Sequence, residues 1–346
     1  MRRWALLVVA VAGATAVLSL AGAPAAYLLG ALVGALVVAL TLGGPDVPAR
    51  SSTIGQAVIG ASVGTLVSVD LLETLARHGW VISLALLFTM VSSLAWGQVL
   101  RFQPGVTAVT ASFSSIAGGA AGVDATARDV GADEPIVATI QYLRVLVVLF
   151  TMPVVAKLYD PSASTAGPGM SAGGDTLAAY GFALVVVGIG LALLAFLDFP
   201  GAAVLVPMLV TAGAGATGWF PDAVIPALLL NAGYVLIGVQ VGLKFTRATL
   251  GILARLLPLA FVQIAGTILT CAAAGWLMSA LTDLGQLDSY LATTPGGLYA
   301  VIAVAISTGS DTGLVFSLQV LRLFASLLLV PLLARIHRPR TDPDPV

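Results

Sequence analysis

The sequence predicts an all-α polytopic membrane protein built from two copies of one helical unit. Three observations predict it. First, 59% of the 346 residues are hydrophobic, and the mean hydropathy is +1.04. Second, charged residues make up 9%, against about 25% in soluble domains, so a soluble fold of this length would lack the polar residues to cover its surface. Third, the second half of the chain repeats the first.

Composition excludes several functions. A net charge of −1 with no basic arm lacks the electrostatic footprint of a nucleic-acid binder. Cys271 is a lone cysteine, and His78 and His337 are isolated histidines. Copper, iron and zinc sites normally need several thiolates or imidazoles, so no metal or other cofactor is expected. No phosphate-binding loop, nucleophile elbow or zinc motif occurs. The expectation is therefore a protein that is not an enzyme and is not driven by ATP. Its expected partners are the lipid bilayer and a small solute, and a homo-oligomer is compatible with the sequence.

The repeat has a constant register. Val58 to Arg77 aligns with Leu236 to Arg255 at an offset of 178, with eight of 20 positions identical, including Gly60/Gly238 and Gly64/Gly242. The same offset pairs Gly118-Gly119 with Gly296-Gly297, Asp133 with Asp311, Gln141 with Gln319, Arg144 with Arg322 and Pro153 with Pro331. Upstream the offset is 176, pairing Pro24 with Pro200 and Pro45-Asp46 with Pro221-Asp222. Matched polar residues in one register do not arise by chance from an Ala/Leu/Val-rich background. The expected organisation is a membrane repeat over 1–157, a Pro/Ser/Gly-rich linker over 158–175, a second repeat over 176–338 and a tail over 339–346.

Each unit offers six apolar stretches: 4–21, 25–42, 52–69, 79–100, 106–123 and 134–157, then 177–197, 201–218, 226–243, 256–281, 288–306 and 312–335. The first stretch, after Arg2-Arg3 and before Ala21-Gly22-Ala23, has the outline of a signal peptide. Its counterpart at Leu177 to Leu197 argues for a retained span. The fifth stretch is rich in small and hydroxyl residues and then carries Gly-Gly, which weakens a helix by about 1 kcal/mol per glycine. A break or a re-entrant hairpin is expected there.

Charge distinguishes two layouts. If the fifth stretch crosses, the chain has 6+6 spans in parallel repeats. With the N-terminus inside, Arg2, Arg3, Arg50, Arg101, Lys157, Arg335, Arg338 and Arg340 are then inside, and Arg77, Arg128, Lys244, Arg247 and Arg255 outside. If it is re-entrant, the chain has two inverted repeats of five transmembrane helices. Arg128 and the three basic residues of the Lys244–Arg255 loop then move inside, leaving Arg77 and Lys157 outside. The positive-inside rule favours the inverted 5+5 layout, with both termini cytoplasmic.

Candidate site residues follow from the repeat. Arg144 and Arg322 each lie mid-span, where arginine costs about 2.5–3.5 kcal/mol on insertion scales. Gln141 and Gln319 precede them by one turn, on the same face. One reading is an anion or carboxylate site near the midplane. The other is a clamp on backbone carbonyls. Ser114-Ser115-Ile116-Ala117-Gly118-Gly119 and Thr293-Thr294-Pro295-Gly296-Gly297 would expose backbone polar groups if they break at mid-depth, which requires protein or a water-filled cavity to satisfy them. Close helix packing is the alternative for the glycines. Asp133 and Asp311 open the arginine-bearing spans, as N-caps or as proton- or sodium-coupling groups. The Gly-x-x-x-Gly patterns at Gly30, Gly60 and Gly238 read as packing. Gln56 and Asn231 are candidate cavity-lining residues, and Asp198, Asp222, Asp283 and Asp288 read as solvated loop charges.

These residues resemble a known family. Pro24-Ala-Ala-Tyr-Leu-Leu-Gly30, Gly55-Gln56-Ala-Val-Ile-Gly60, the Ala-Ser-Phe…Gly-Gly segment and Thr-Pro-Gly-Gly…Asp311…Gln319-Val-Leu-Arg322 are similar to the AbrB-type membrane protein family, over about 5–338. The family is distinct from the soluble DNA-binding protein of that name. The resemblance implies a duplicated membrane domain, and it carries the conflicting labels of ammonia monooxygenase, transporter and regulator of gene expression. Two histidines and one cysteine fit the monooxygenase label poorly. The first unit has Ala117 where the second has Pro295, so the two broken segments need not be equivalent. The leading expectation is a secondary transporter of a small, anionic solute across the cytoplasmic membrane. In it Arg144 and Arg322 hold charge, the Gly-Gly segments line the site, and Asp133 or Asp311 couple. A membrane sensor acting on gene expression through a partner is second, and a monooxygenase third.

Overall fold

The computed structural model describes residues 2–21, 23, 25–65, 67, 69–116, 127, 130–159, 176–197, 201–216 and 224–337. They form helices and no strand. The first half supplies α1 (Arg2–Leu20), α2 (Ala26–Leu42), α3 (Ala49–Gly64), α4 (Val69–Arg77), α5 (Gly79–Gly97) followed by a 3-10 turn (Gln98–Phe102), α6 (Ala108–Ser115) and α7 (Glu134–Tyr159). The second supplies α8 (Leu177–Leu193), α9 (Ala202–Ala216), α10 (Ala227–Leu243), α11 (Arg247–Leu281), α12 (Gln286–Thr293), α13 (Leu298–Thr308) and α14 (Thr312–His337). Segments within Arg3–Leu20, Gly79–Phe102, Glu134–Met152 and Ala254–Leu281 are long and apolar enough to cross a membrane. The linker over 160–175 and the tail over 339–346 lie outside the described residues, as do Gly118 and Gly119.

Outward faces are more apolar than a soluble surface allows. On α5, Trp80, Leu84, Leu87, Phe88 and Val91 are exposed, while Ala85, Thr89, Ser93 and Gly97, at every fourth position, are buried. Large apolar groups outside and small or hydroxyl groups inside suit a lipid-facing helix, because hydrocarbon solvates the former and only protein satisfies the latter.

The two halves interlock. α2 of the first half packs on α10 of the second, and α3 of the first packs on α9 and α10 of the second. A Cβ at Gly60 or Gly64 would strike the carbonyls of Val204 or Met208 on α9. At Gly238 or Gly242 it would lie 2.5 Å from the carbonyl of Leu28 or Leu32 on α2. These positions correspond under the repeat. Gly55 and Gly233, another matched pair, face each other, each on the other's carbonyl. The Gly-x-x-x-Gly patterns are thus contacts of backbone on backbone, as read from sequence. α1 lies on α2 in the same way, through Gly30 against Thr15 and Gly34 against Ala10 and Val11.

α1–α3 and α8–α10 therefore form one bundle. α5–α7 and α11–α14 form another, and the two meet chiefly where α13 approaches α10 and α14 approaches α3. That meeting surface is apolar, with Leu28, Leu32, Ile59, Tyr234 and Ile237 in one continuous cluster with Val148, Met152, Val301 and Phe316.

One boundary differs from expectation. The stretch 244–255, expected as a loop, is mostly helix, since α11 begins at Arg247 and runs 35 residues. At about 1.5 Å per residue it exceeds the thickness of a bilayer core. Arg247 is anchored where α11 starts, its Nε and Nη2 donating to the carbonyls of Leu40 and Thr41 at the end of α2, both at 2.9 Å. A cation on the last carbonyls of a helix answers their partial negative charge.

Candidate functional site

The second fifth stretch folds as two short helices around a break at 294–297. Thr294 is extended and Gly297 begins α13 with no side-chain cap. The segment turns back on itself, because the backbone N–H of Asp311, after α13, donates to Asp288 Oδ1, at the start of α12, at 3.0 Å. A straight helix of that many residues would hold these positions about 35 Å apart. The same closure occurs in the first half, where the N–H of Asp133 donates to the hydroxyl of Thr110 at 3.0 Å. Thr110 and Asp288 are counterparts under the 178-residue offset. Gly131 and Gly309, also counterparts, make the turns into α7 and α14 with φ of 76° and 71°, a left-handed conformation suited to glycine. Asp288 is thus a structural acceptor and not simply a solvated charge. Asp283 is exposed but pairs with His78 at 2.6 Å. Asp198 and Asp222 lie outside the described residues.

Both arginines reach the ends of the short helices. Arg144 donates through Nη1 to the carbonyl of Ser115 and through Nη2 to that of Ile116, each at 2.9 Å. Arg322 donates through Nη1 to Thr293 at 3.2 Å and to Thr294, and through Nη2 to Gly296 at 3.3 Å and to Gln319 Oε1. Gln141 donates to the Phe113 carbonyl at 3.2 Å, and Gln319 to that of Leu291 at 2.8 Å, as well as to Ala292 and Thr294. Ser115 ends α6, and Leu291, Ala292 and Thr293 end α12, where the last carbonyls of a helix run out of N–H partners. The sequence pattern Gln-x-x-Arg thus closes the open C-terminal ends of α6 and α12.

Hydroxyls fill the remaining positions. Ser114 donates to Thr110 O and Ser115 to Ser112 O, both at 2.7 Å, while Thr293 donates to Cys271 O at 2.9 Å. Thr294 is fully buried and its hydroxyl has no partner. Asp133 and Asp311 are N-caps, each accepting from the backbone three residues on, at Ile136 (3.1 Å) and Leu314 (2.9 Å).

A cavity of about 20 Å³, room for roughly one water, lies where the halves meet. Its walls are Thr89, Met90, Ser93 and Leu94 of α5, Ser115 and Ile116 at the end of α6, Cys271, Pro295, and Arg322, Ser326 and Leu329 of α14. Of its polar residues, Thr89, Ser93 and Ser326 were not singled out from sequence, and Cys271 was noted only as a lone cysteine. The offset itself links two of these residues, since Ser93 and Cys271 are counterparts. Gly97 and Gly275 are likewise counterparts, and each lets its helix lie on Ser115 or Thr293. Gln56 and Asn231 belong to the other bundle, away from this cavity.

Arg144 and Arg322 are 3% and 5% exposed and lie within electrostatic reach of each other. Among the described residues no carboxylate pairs with either. Nor does any group of three His, Cys, Asp or Glu side chains come together there.

Comparison with known proteins matches residues 27–338 to the family described as "Transition state regulatory protein AbrB". An Escherichia coli (strain K12) protein named "Putative regulator AbrB" is 31% identical over 322 residues, covering 90% of each chain. A Bacillus subtilis (strain 168) protein named "Uncharacterized protein YhjN" is 25% identical over 352 residues, covering 94% of this chain and 92% of its own.

Proposed function

The chain belongs to the AbrB family, and on that premise we propose that it is a secondary transporter of a small anion in the cell membrane. The observation that carries the proposal is the pair of buried guanidinium groups that no carboxylate of the described residues pairs with. Buried charges are ordinarily paired. Among the described residues the two arginines answer only carbonyl oxygens, and the helix ends these belong to supply about half a negative charge each. The site retains excess positive charge, which an anionic solute would neutralise. Its partners are then the bilayer and the solute, and the chain performs no covalent chemistry.

Two further features support the reading. The closures at Asp133 and Asp311 bring the end of each fifth stretch back to its start, which supports a re-entrant hairpin in each unit. Each unit then crosses five times and the second unit runs inverted to the first, with both termini cytoplasmic. Inverted repeats with broken helices at the midplane are a recurrent transporter architecture. The grouping into two bundles also supports it. α6, α12, α13 and both arginines belong to one bundle, and the other meets it through an apolar surface, which has no directional bonds to hold it in one place. The cavity holds about one water, so a solute enters when the bundles part.

Reconstitution of the full chain into liposomes tests this. With an imposed proton or sodium gradient, a panel of formate, acetate, bicarbonate, nitrate, sulfate and phosphate should contain an anion that moves saturably. Absence of flux for every member would overturn the proposal. The layout has its own test: in a Cys271→Ser background, a cysteine at Ala248 should react with a membrane-impermeant thiol reagent only after permeabilisation. Labelling of intact cells would sink the inverted arrangement.

A second reading is a membrane sensor that binds the same anion and acts on gene expression through a partner. The names of the family and of its E. coli member favour it. Anion binding without flux would select it.

A further inference from the structure

The two arginines correspond under the repeat but differ in their partners among the described residues. Arg322 directs both Nη groups at three backbone carbonyls and the Gln319 side chain. Among the described residues Arg144 makes one hydrogen bond from each Nη group, and its Nε, buried, has no acceptor. Such a donor out of contact with water costs about 1–3 kcal/mol unless something accepts from it.

The break in the second half packs on the stretch of α7 that carries Arg144. A Cβ at Gly296 would lie 2.9 Å from Val148 Cγ1, and one at Gly297 would lie 3.4 Å from Val145 Cγ1. Thr294, with its unpartnered hydroxyl, belongs to that break. So does the start of α13, an eleven-residue helix whose first N–H groups no side chain caps. Two buried donors without an acceptor, a guanidinium N–H and a hydroxyl, therefore belong to segments from different halves that pack on each other, beside the start of α13.

The corresponding position in the first half is not equipped in this way. The counterpart of Thr294 is Ile116, which has no hydroxyl, and that of Pro295 is Ala117. The arginine there would be Arg322, which is already engaged.

Resting on the reading of an anion site, we infer that the chain binds one small oxyanion, at a single composite site. Arg144 Nε of the first half and the Thr294 hydroxyl with the α13 N-terminus of the second supply its donors. Arg322 is a structural clamp on α12. Among the described residues the partial charges agree: two guanidiniums, less about half a charge for each of the α6 and α12 C-termini, plus about half for the α13 N-terminus, leave an excess of about one to two positive charges. That suits a monovalent or divalent head with two or three acceptor oxygens.

The test uses the purified full chain in detergent and its thermal unfolding midpoint with formate, acetate, bicarbonate, nitrate, sulfate or phosphate at matched ionic strength. Thr294→Val is the central variant. Its hydroxyl bonds nothing in the ligand-free protein, so the variant should fold as the parent does. At least one anion should stabilise the parent, and Thr294→Val should weaken its apparent affinity at least tenfold. Arg144→Lys, which keeps charge but removes Nε, should weaken it likewise. Ser307→Ala, on α13 with its hydroxyl bonded to Val304 O, should not. Stabilisation by formate and acetate alone would identify a carboxylate ligand, and by the inorganic members alone an inorganic oxyanion. Parent-like affinity in Thr294→Val, or no anion effect on the parent, would overturn the composite site. Flux that survives Thr294→Val would leave the transporter reading and remove this site. Thr294-dependent binding without flux would do the reverse.

Discussion

In the bundle of α1–α3 and α8–α10, helices touch backbone to backbone. In the bundle of α5–α7 and α11–α14 they touch through hydroxyls, amides and two guanidiniums. The first leaves Gly60, Gly64, Gly238 and Gly242 no room for a Cβ, so a small shift meets steric repulsion at once. The second places Ser93 on the Ser115 carbonyl at 2.6 Å and Thr293 on the Cys271 carbonyl at 2.9 Å, bonds that can be exchanged for others as helices move. One bundle is built to hold its shape, the other to hold polar groups at the centre of an apolar body.

Substitutions can break this contrast, and Gly60→Val should do most. Its Cβ would enter the space of the Val204 carbonyl, and overpacking of that kind costs about 3 kcal/mol. Its unfolding midpoint in detergent should fall further than that of Arg322→Met, Asp311→Ala or Gly188→Ala. A near-parental midpoint would show that α3 and α9 can separate, which removes the basis for calling that bundle rigid.

Arg322→Met should come next. It leaves carbonyls of Thr293, Thr294 and Gly296 without their donor, at about 1–3 kcal/mol per buried group, offset by relief of repulsion from Arg144. The same melting assay should show a loss of about 2 kcal/mol. An increase in stability would mean that charge repulsion, not clamping, dominates at the centre.

Smaller effects are expected at the caps. Asp311→Ala and Asp133→Ala each remove an N-cap, worth about 1 kcal/mol, and the two should match because their geometry does. If the liposome assay instead lost its gradient dependence with either variant while the melting point held, that aspartate would be a coupling group as well as a cap. Gly188→Ala should change least, below about 1 kcal/mol, because α8 presents that glycine to no neighbour. A large loss there would reveal a contact with another molecule of the chain.

Much of this architecture was legible in the sequence, and the positions show why. Composition makes the helices necessary, because backbone in hydrocarbon must bond within itself. The offset of 178 marked both broken segments, both Gln-x-x-Arg pairs and the glycines that become contacts. The start of α11 was not legible. Thr246 and Arg247 look like loop beside a basic cluster, and it is the hydrogen bonds of Arg247 to Leu40 and Thr41, 206 and more residues away, that seat the helix there.

By itself the sequence determined that the chain is helical, apolar on its outside, duplicated, and broken near Pro295, because each of these is set by local composition or by a pattern repeated in register. Only the tertiary structure decided that the halves exchange helices, that the arginines face carbonyls, and that the two arginines differ. Those outcomes depend on which acceptors lie within about 3 Å of a donor, and the residues concerned, such as Arg144 and Ser115, are 29 positions apart. Spacing along the chain carries no information about such a distance until the helices pack.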